Sequence, residues 1–310
     1  MDFYRSINGI SRGKIDFDAV AKIKKLEFVV YKKFSYCSLT PNLRILDCHP
    51  KTDGLSSDKF LLMNPVLRYA AYTISILTCA GNLLVIISRI GNSRDENRSV
   101  SMVIRNLAVS DFIMGIYIGI IGLQDARFKD NYHIEARDWT QSTLCIIAGI
   151  LSMISSEVSI FILAFMSIER FLLISDPFGH HRLNTKNVML SLYTIWLLGV
   201  SIAVFPVIFY HDTKFYGLYN GGTCFPLFLQ EKFEIGWEYS AFVFIGINLS
   251  LLLLMAIIYT SLLFSIWRTR RATTLNFFDC EFAIRYFINI SELCDKIFGL
   301  NINKIKYLFI

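Results

Sequence analysis

Between Cys145 and Arg170 the chain runs for 25 residue steps with one charge, Glu157, before Glu169 and Arg170 close the stretch. As a helix rising about 1.5 Å per residue the run reaches about 37 Å, slightly more than the ~30 Å hydrocarbon core of a bilayer. Such a segment spans a membrane, with Cys145 near one face and the Glu169-Arg170 pair near the other. A lone carboxylate at mid-depth costs at least a few kcal/mol in lipid unless it faces protein, so Glu157 implies neighbouring helices. Glu169-Arg170 either stops the helix at the interface or acts as a switch, and the spacing by itself leaves both open.

The rest of the chain supplies those neighbours. Its hydrophobic fraction of 54% and mean hydropathy of +0.47 over 310 residues are concentrated in blocks. Besides the central run, spans are predicted over 66–89, 100–123, 187–210 and 239–267, which makes this an all-α membrane protein. The spans carry polar punctuation. Gly81-Asn82 lies in the first, and Asp111 sits inside the second, where an intramembrane charge marks a functional site or a structural hydrogen bond. Trp196 and Pro206 lie in the fourth. The net charge of +6 comes with no nucleic-acid motif, so the basic residues serve orientation and the bilayer is the partner. His133, His180, His181 and His211 lie in loops without metal-ligand spacing, and no Ser-His or Cys-His arrangement accompanies Glu157. Neither an enzyme, a metal site nor an organic cofactor is expected.

Basic residues in the short loops fix the orientation. Arg89, Arg94, Arg98, Arg182, Lys186, Arg268, Arg270 and Arg271 lie on one side, against Arg127, Lys129, Arg137, Lys214 and Lys232 on the other. The richer side is cytoplasmic, so the N-terminus is extracellular. Cys145 and Cys224 then share the outer, oxidising side, compatible with a disulfide tying the third span to the following outer loop. Arg170 falls at the cytoplasmic end.

Ahead of the spans, residues 1–36 show apolar spacing loosely like that of one leucine-rich repeat, or of an ordinary amphipathic segment. Residues 37–64 form a loop-rich hinge whose Cys37 and Cys48 either pair outside the cell or stay free. The N-terminus has no apolar stretch behind a basic patch, so no signal peptide is read, and a chain with outward cysteines is expected to be a piece of a longer protein. At the other end, residues 281–290 look like the first turns of a sixth helix, and residues 288–310 carry no further apolar span.

Taken in order, Gly81-Asn82, Leu107-Ala108 with Asp111, Cys145, Glu169-Arg170-Phe171, Trp196 and Cys224 resemble the rhodopsin-like G-protein-coupled receptors over about 65–287. A finer resemblance, to the leucine-rich-repeat-containing hormone receptors and their relaxin-receptor branch, rests on further residues. These are Tyr36-Cys37-Ser38, Cys48, Asp53-Gly54-Leu55-Ser56-Ser57, Asp111 to Tyr117, Ser156-Glu157-Val158-Ser159 and Gly222 to Leu227. It implies a seven-transmembrane bundle, here with five complete helices and the start of the sixth, and it makes residues 1–36 the tail of a leucine-rich repeat. Helix five lacks the proline usual in rhodopsin-like receptors and has Asn248 in that neighbourhood, and no Cys-Trp-x-Pro or Asn-Pro-x-x-Tyr follows Phe287.

The resemblance also implies a plasma-membrane receptor that passes the binding of a relaxin/insulin-like peptide hormone to a heterotrimeric G protein. Glu169 would restrain Arg170 at rest, with Phe171 completing the switch. Asn82 and Asp111 would form a central polar site of the kind that holds sodium. A chain of five complete spans is expected not to signal alone. Two rival readings remain at this stage: a transporter or channel using Asp111 and Glu157, and a non-signalling partner of a complete receptor.

Overall fold

The computed structural model describes residues 28–31, 47–50, 55–57, 59–91, 98–175, 184–210, 215–217, 222–227 and 236–272. Cys37, the start of a sixth helix at 281–290 and the tail 288–310 lie outside these residues, as does all of 1–36 except 28–31. Two short strands come first, β1 (Phe28–Tyr31) and β2 (Asp47–Pro50), paired in parallel with Val29 opposite Cys48.

Among the described residues every other regular element is helical. They are α1 (Pro65–Gly91), α2 (Arg98–Arg127), α3 (Tyr132–Thr140), α4 (Thr143–Ser175), α5 (Thr185–Phe209), α6 (Trp237–Ser240) and α7 (Ser250–Ala272). A π-helical segment, Ala241–Leu249, joins α6 to α7 without a break, so Trp237–Trp267 makes one span. Among the described residues five helices are long and apolar enough to cross a membrane, each enclosing the span predicted for it to within a residue. In lipid the backbone has no water to bond, so every N–H and C=O must be satisfied inside the segment, and a long apolar run has only the helix available.

Helix α4 is the hub, packing against α2, α5 and α7. Its buried residues run the length of the helix, from Cys145 through Met153, Glu157 and Ile162 to Phe171. That distribution suits a helix enclosed by others. Helix α1 packs on α2 and shows Ile76, Leu77, Leu84 and Ile87 outward, where lipid tails replace protein neighbours. Small residues let these two approach. The Ser75 hydroxyl donates to the Gly115 carbonyl at 2.8 Å, and that of Tyr72 to Gly122 at 2.9 Å.

Helix α5 shows what an internal proline does. Pro206 has no amide hydrogen, so the Ile202 carbonyl loses its helical partner, and the ring crowds the turn. A tyrosine from another element fills the gap, and a second bonds the carbonyl beside it. The Tyr239 hydroxyl on α6 donates to the Ile202 carbonyl at 2.8 Å, and the Tyr216 hydroxyl, from the 3₁₀ turn Phe215–Gly217, donates to the Ala203 carbonyl.

Candidate functional site

At the disulfide end of the bundle the loop 222–227 is drawn over the helices. Cys145 and Cys224 are bonded, as the orientation argument allowed, and both are fully buried. The loop could not lie so close with larger residues at two points. Gly222 has φ +76°, and a Cβ there would meet the Tyr132 hydroxyl at 2.2 Å and Leu61 Cδ1 at 2.5 Å. On α4, a Cβ on Gly149 would meet the Tyr216 ring at 2.2 Å and the Cys224 carbonyl at 2.6 Å. Around this loop Trp139 Nε1 donates to the Gly222 carbonyl, the Tyr117 hydroxyl donates to the Thr223 carbonyl, and Phe225 packs on Phe244. Burial pushes the Tyr216 phenol above its ordinary range, with Tyr239 adding to the effect.

The hinge is bolted to the same end. Leu55 and Met63 close a small loop through a 2.7 Å backbone bond, and Leu61 and Leu62 are buried with Phe128, Tyr132, Trp139 and Cys224. Asp125 on α2, fully enclosed, accepts the Leu62 amide at 2.7 Å and the Arg68 guanidinium through its two oxygens. Arg68 in turn donates to the Leu62 carbonyl and lies over the Phe60 ring. Sequence reasoning missed this cluster. Asp125 reads as one more charge in a polar loop. Arg68, a lone cation inside an apolar span, was the signal that such a partner exists.

At mid-depth, Trp196 Nε1 donates to Asn106 Oδ1 at 3.0 Å and joins α5 to α2. Asp111 accepts the Ser159 hydroxyl at 2.9 Å, beside reciprocal bonds between Ser110 and Ser155. Asn82 is not drawn into this group. Its amide donates to the Thr78 carbonyl on its own helix. Glu157 is enclosed in the core and accepts from Asn248.

At the opposite end Glu169 is half-buried, Arg170 exposed and Phe171 buried against Leu254, Ile258 and Leu262. No hydrogen bond or ion pair joins Glu169 to Arg170 among the described residues. Arg170 borders a cavity of about 320 Å³ between α4 and α7, lined by Leu173, Ile174, Tyr259, Leu262 and Ile266 among others. The arrangement is thus a lidded and disulfide-pinned end, a polar middle, and a cation beside an apolar cleft at the far end.

The sequence pattern of the 7 transmembrane receptor (rhodopsin family) matches residues 81–277. The chain belongs to that family. Within this rhodopsin family it is 36% identical to relaxin receptor 2 of Homo sapiens over 275 residues, which cover 86% of this chain and 36% of that protein. It is 34% identical to relaxin receptor 1 of Homo sapiens over 252 residues, 80% of this chain and 32% of that protein. The follicle-stimulating hormone receptor of Bos taurus is 27% identical over 180 residues, 58% of this chain and 26% of that protein. The chain therefore spans about a third of the length of the relaxin receptors it matches.

Proposed function

We propose that this chain forms transmembrane helices of a plasma-membrane receptor, N-terminus outside, that answers a relaxin/insulin-like peptide hormone by activating a heterotrimeric G protein and catalyses no reaction. The observation that carries the reading is the identity to relaxin receptors over 80% or more of this chain. A disulfide at Cys145–Cys224 agrees with an oxidising exterior at that end, and the basic loops agree with a cytoplasmic Arg170 end.

The parts then take roles. The parallel strands β1 and β2, about twenty residues apart in register, support residues 1–36 as the tail of a leucine-rich repeat leading into the hinge 37–64. The hinge, clamped by Asp125 and Arg68, is where an ectodomain would act on the bundle. Glu169, Arg170 and Phe171 form the switch at the cytoplasmic cleft, with Arg170 offered to the G protein when the helices open, a two-state change biased by the hormone. A sodium ion at Asp111 belongs to the same proposal. The carboxylate Oδ2 is without a hydrogen bond among the described residues, which supports it, whereas Asn82 is turned to Thr78 and contributes nothing in this conformation.

The test is Arg170→Gln in the complete receptor. Hormone binding is expected to persist while hormone-driven second-messenger production is lost. Unchanged signalling removes the assignment.

A further inference from the structure

One buried pair in the core is incomplete as it stands. Glu157 is 0% exposed and Asn248, in the π segment, 9%. Asn248 Nδ2 donates to Glu157 Oε1 at 2.9 Å. The other two acceptors of the same pair, Glu157 Oε2 and Asn248 Oδ1, are both enclosed and have no hydrogen-bond partner among the described residues. Buried polar atoms are nearly always satisfied, and two orphans on one facing pair call for a common cause.

Among the described residues the surroundings offer no cation to supply it. No ion pair reaches Glu157 among the described residues. The ionisable groups on the elements packed around this part of α4 are Asp111 on α2, Tyr216 of the 3₁₀ turn and Tyr239 on α6, while Tyr259 on α7 lies at the far-end cleft. None of these is cationic, and Tyr216 and Tyr239 give their hydroxyls to Ala203 and Ile202. From α5 the neighbour at this depth is Gly199, against Val158. An ionised carboxylate here would be a buried charge with one amide donor and no cationic partner among the described residues.

We infer that Glu157 is a proton-binding site, holding a proton on Oε2 and meeting Asn248 as a neutral acid–amide pair that latches α4 to the π segment. In that pair Oε2–H donates to Asn248 Oδ1 while Nδ2–H donates to Glu157 Oε1, so one proton satisfies both orphans. The balance is simple. The carboxylate takes one proton from hydronium in the surrounding water as the helices pack, so one O–H bond forms on Oε2, one breaks in the hydronium and a water molecule is released. The wide π winding that presents Asn248 is frequent at functional sites, which suits a latch rather than a uniform helix. Removal of the proton would set a carboxylate against an amide oxygen and drive α4 and the π segment apart.

Infrared spectroscopy of the full chain in lipid nanodiscs at neutral pH tests this directly. Carbon-13 glutamate labelling of the unsubstituted chain is expected to move a protonated-carboxyl C=O band that also shifts in heavy water. Glu157→Gln should lose that band yet melt with the parent, because a carboxamide reproduces both hydrogen bonds. Asn248→Leu should keep the band and shift it to the position of a carboxyl with no hydrogen bond. Absence of any labelled protonated-carboxyl band in the unsubstituted chain overturns the inference without reference to a variant. So does a band that survives Glu157→Gln, and so does loss of ionised-carboxylate bands in its place.

Discussion

Arg68 and Asp125, from the first and second membrane helices, form an ion pair whose carboxylate also holds the amide of Leu62 in the hinge. Three segments converge on one carboxylate, and the Arg68 side chain is only 21% exposed. Breaking a buried pair by removing one partner leaves the other charge uncompensated, at about 3–5 kcal/mol, and the partial exposure of Arg68 moves the expected cost toward the lower figure. Asp125→Asn should therefore lower the melting temperature of the chain and speed hydrogen exchange at the Leu62 amide. The double variant Arg68→Met with Asp125→Leu should recover the melting temperature but not the protection of Leu62. Equal protection of Leu62 in parent and Asp125→Asn would show that the hinge is held by its leucines alone.

The Pro206 turn gives a second prediction. Tyr239→Phe removes the donor to the Ile202 carbonyl and should cost about 1 kcal/mol, the usual net worth of a protein hydrogen bond. In a Pro206→Ala background the restored backbone amide can serve that carbonyl, so the same substitution should cost almost nothing. A double-mutant cycle on thermal unfolding measures the difference. Identical costs in both backgrounds would mean that Tyr239 does not compensate the proline.

Sodium at Asp111 is open to a binding measurement that needs no hormone. A ligand that binds only the folded state stabilises it by about 1.4 kcal/mol at ten times its Kd. Replacing choline by sodium should raise the melting temperature of the parent chain and leave Asp111→Asn unmoved. A parent indifferent to sodium would remove the ion from the account.

Much of this molecule was legible without coordinates because lipid leaves the backbone so little choice. Apolar length alone located five helices to within a few residues, and basic residues at their ends gave an orientation under which Cys145 and Cys224 share a side. Glu157 announced a neighbouring helix by being a charge in an apolar run. Which helix, and which atom, was another matter. Asn248 meets Glu157 from a stretch of the fifth span that is π-wound, a change of winding that the hydrophobic pattern does not encode. Asn82 and Asp111 were expected together, yet Asn82 bonds within its own helix while Ser159 takes Asp111, a choice set by how α1, α2 and α4 rotate against one another. The bond from Tyr239 to the carbonyl freed by Pro206, and the meeting of Arg68, Asp125 and Leu62, depend likewise on residues far apart in the chain arriving at one depth. Sequence determined the lengths of the spans and their polar exceptions, since those follow from transfer into lipid residue by residue. Only the tertiary structure decided the partners, since a buried polar group takes whichever donor or acceptor the packing of whole helices brings within reach.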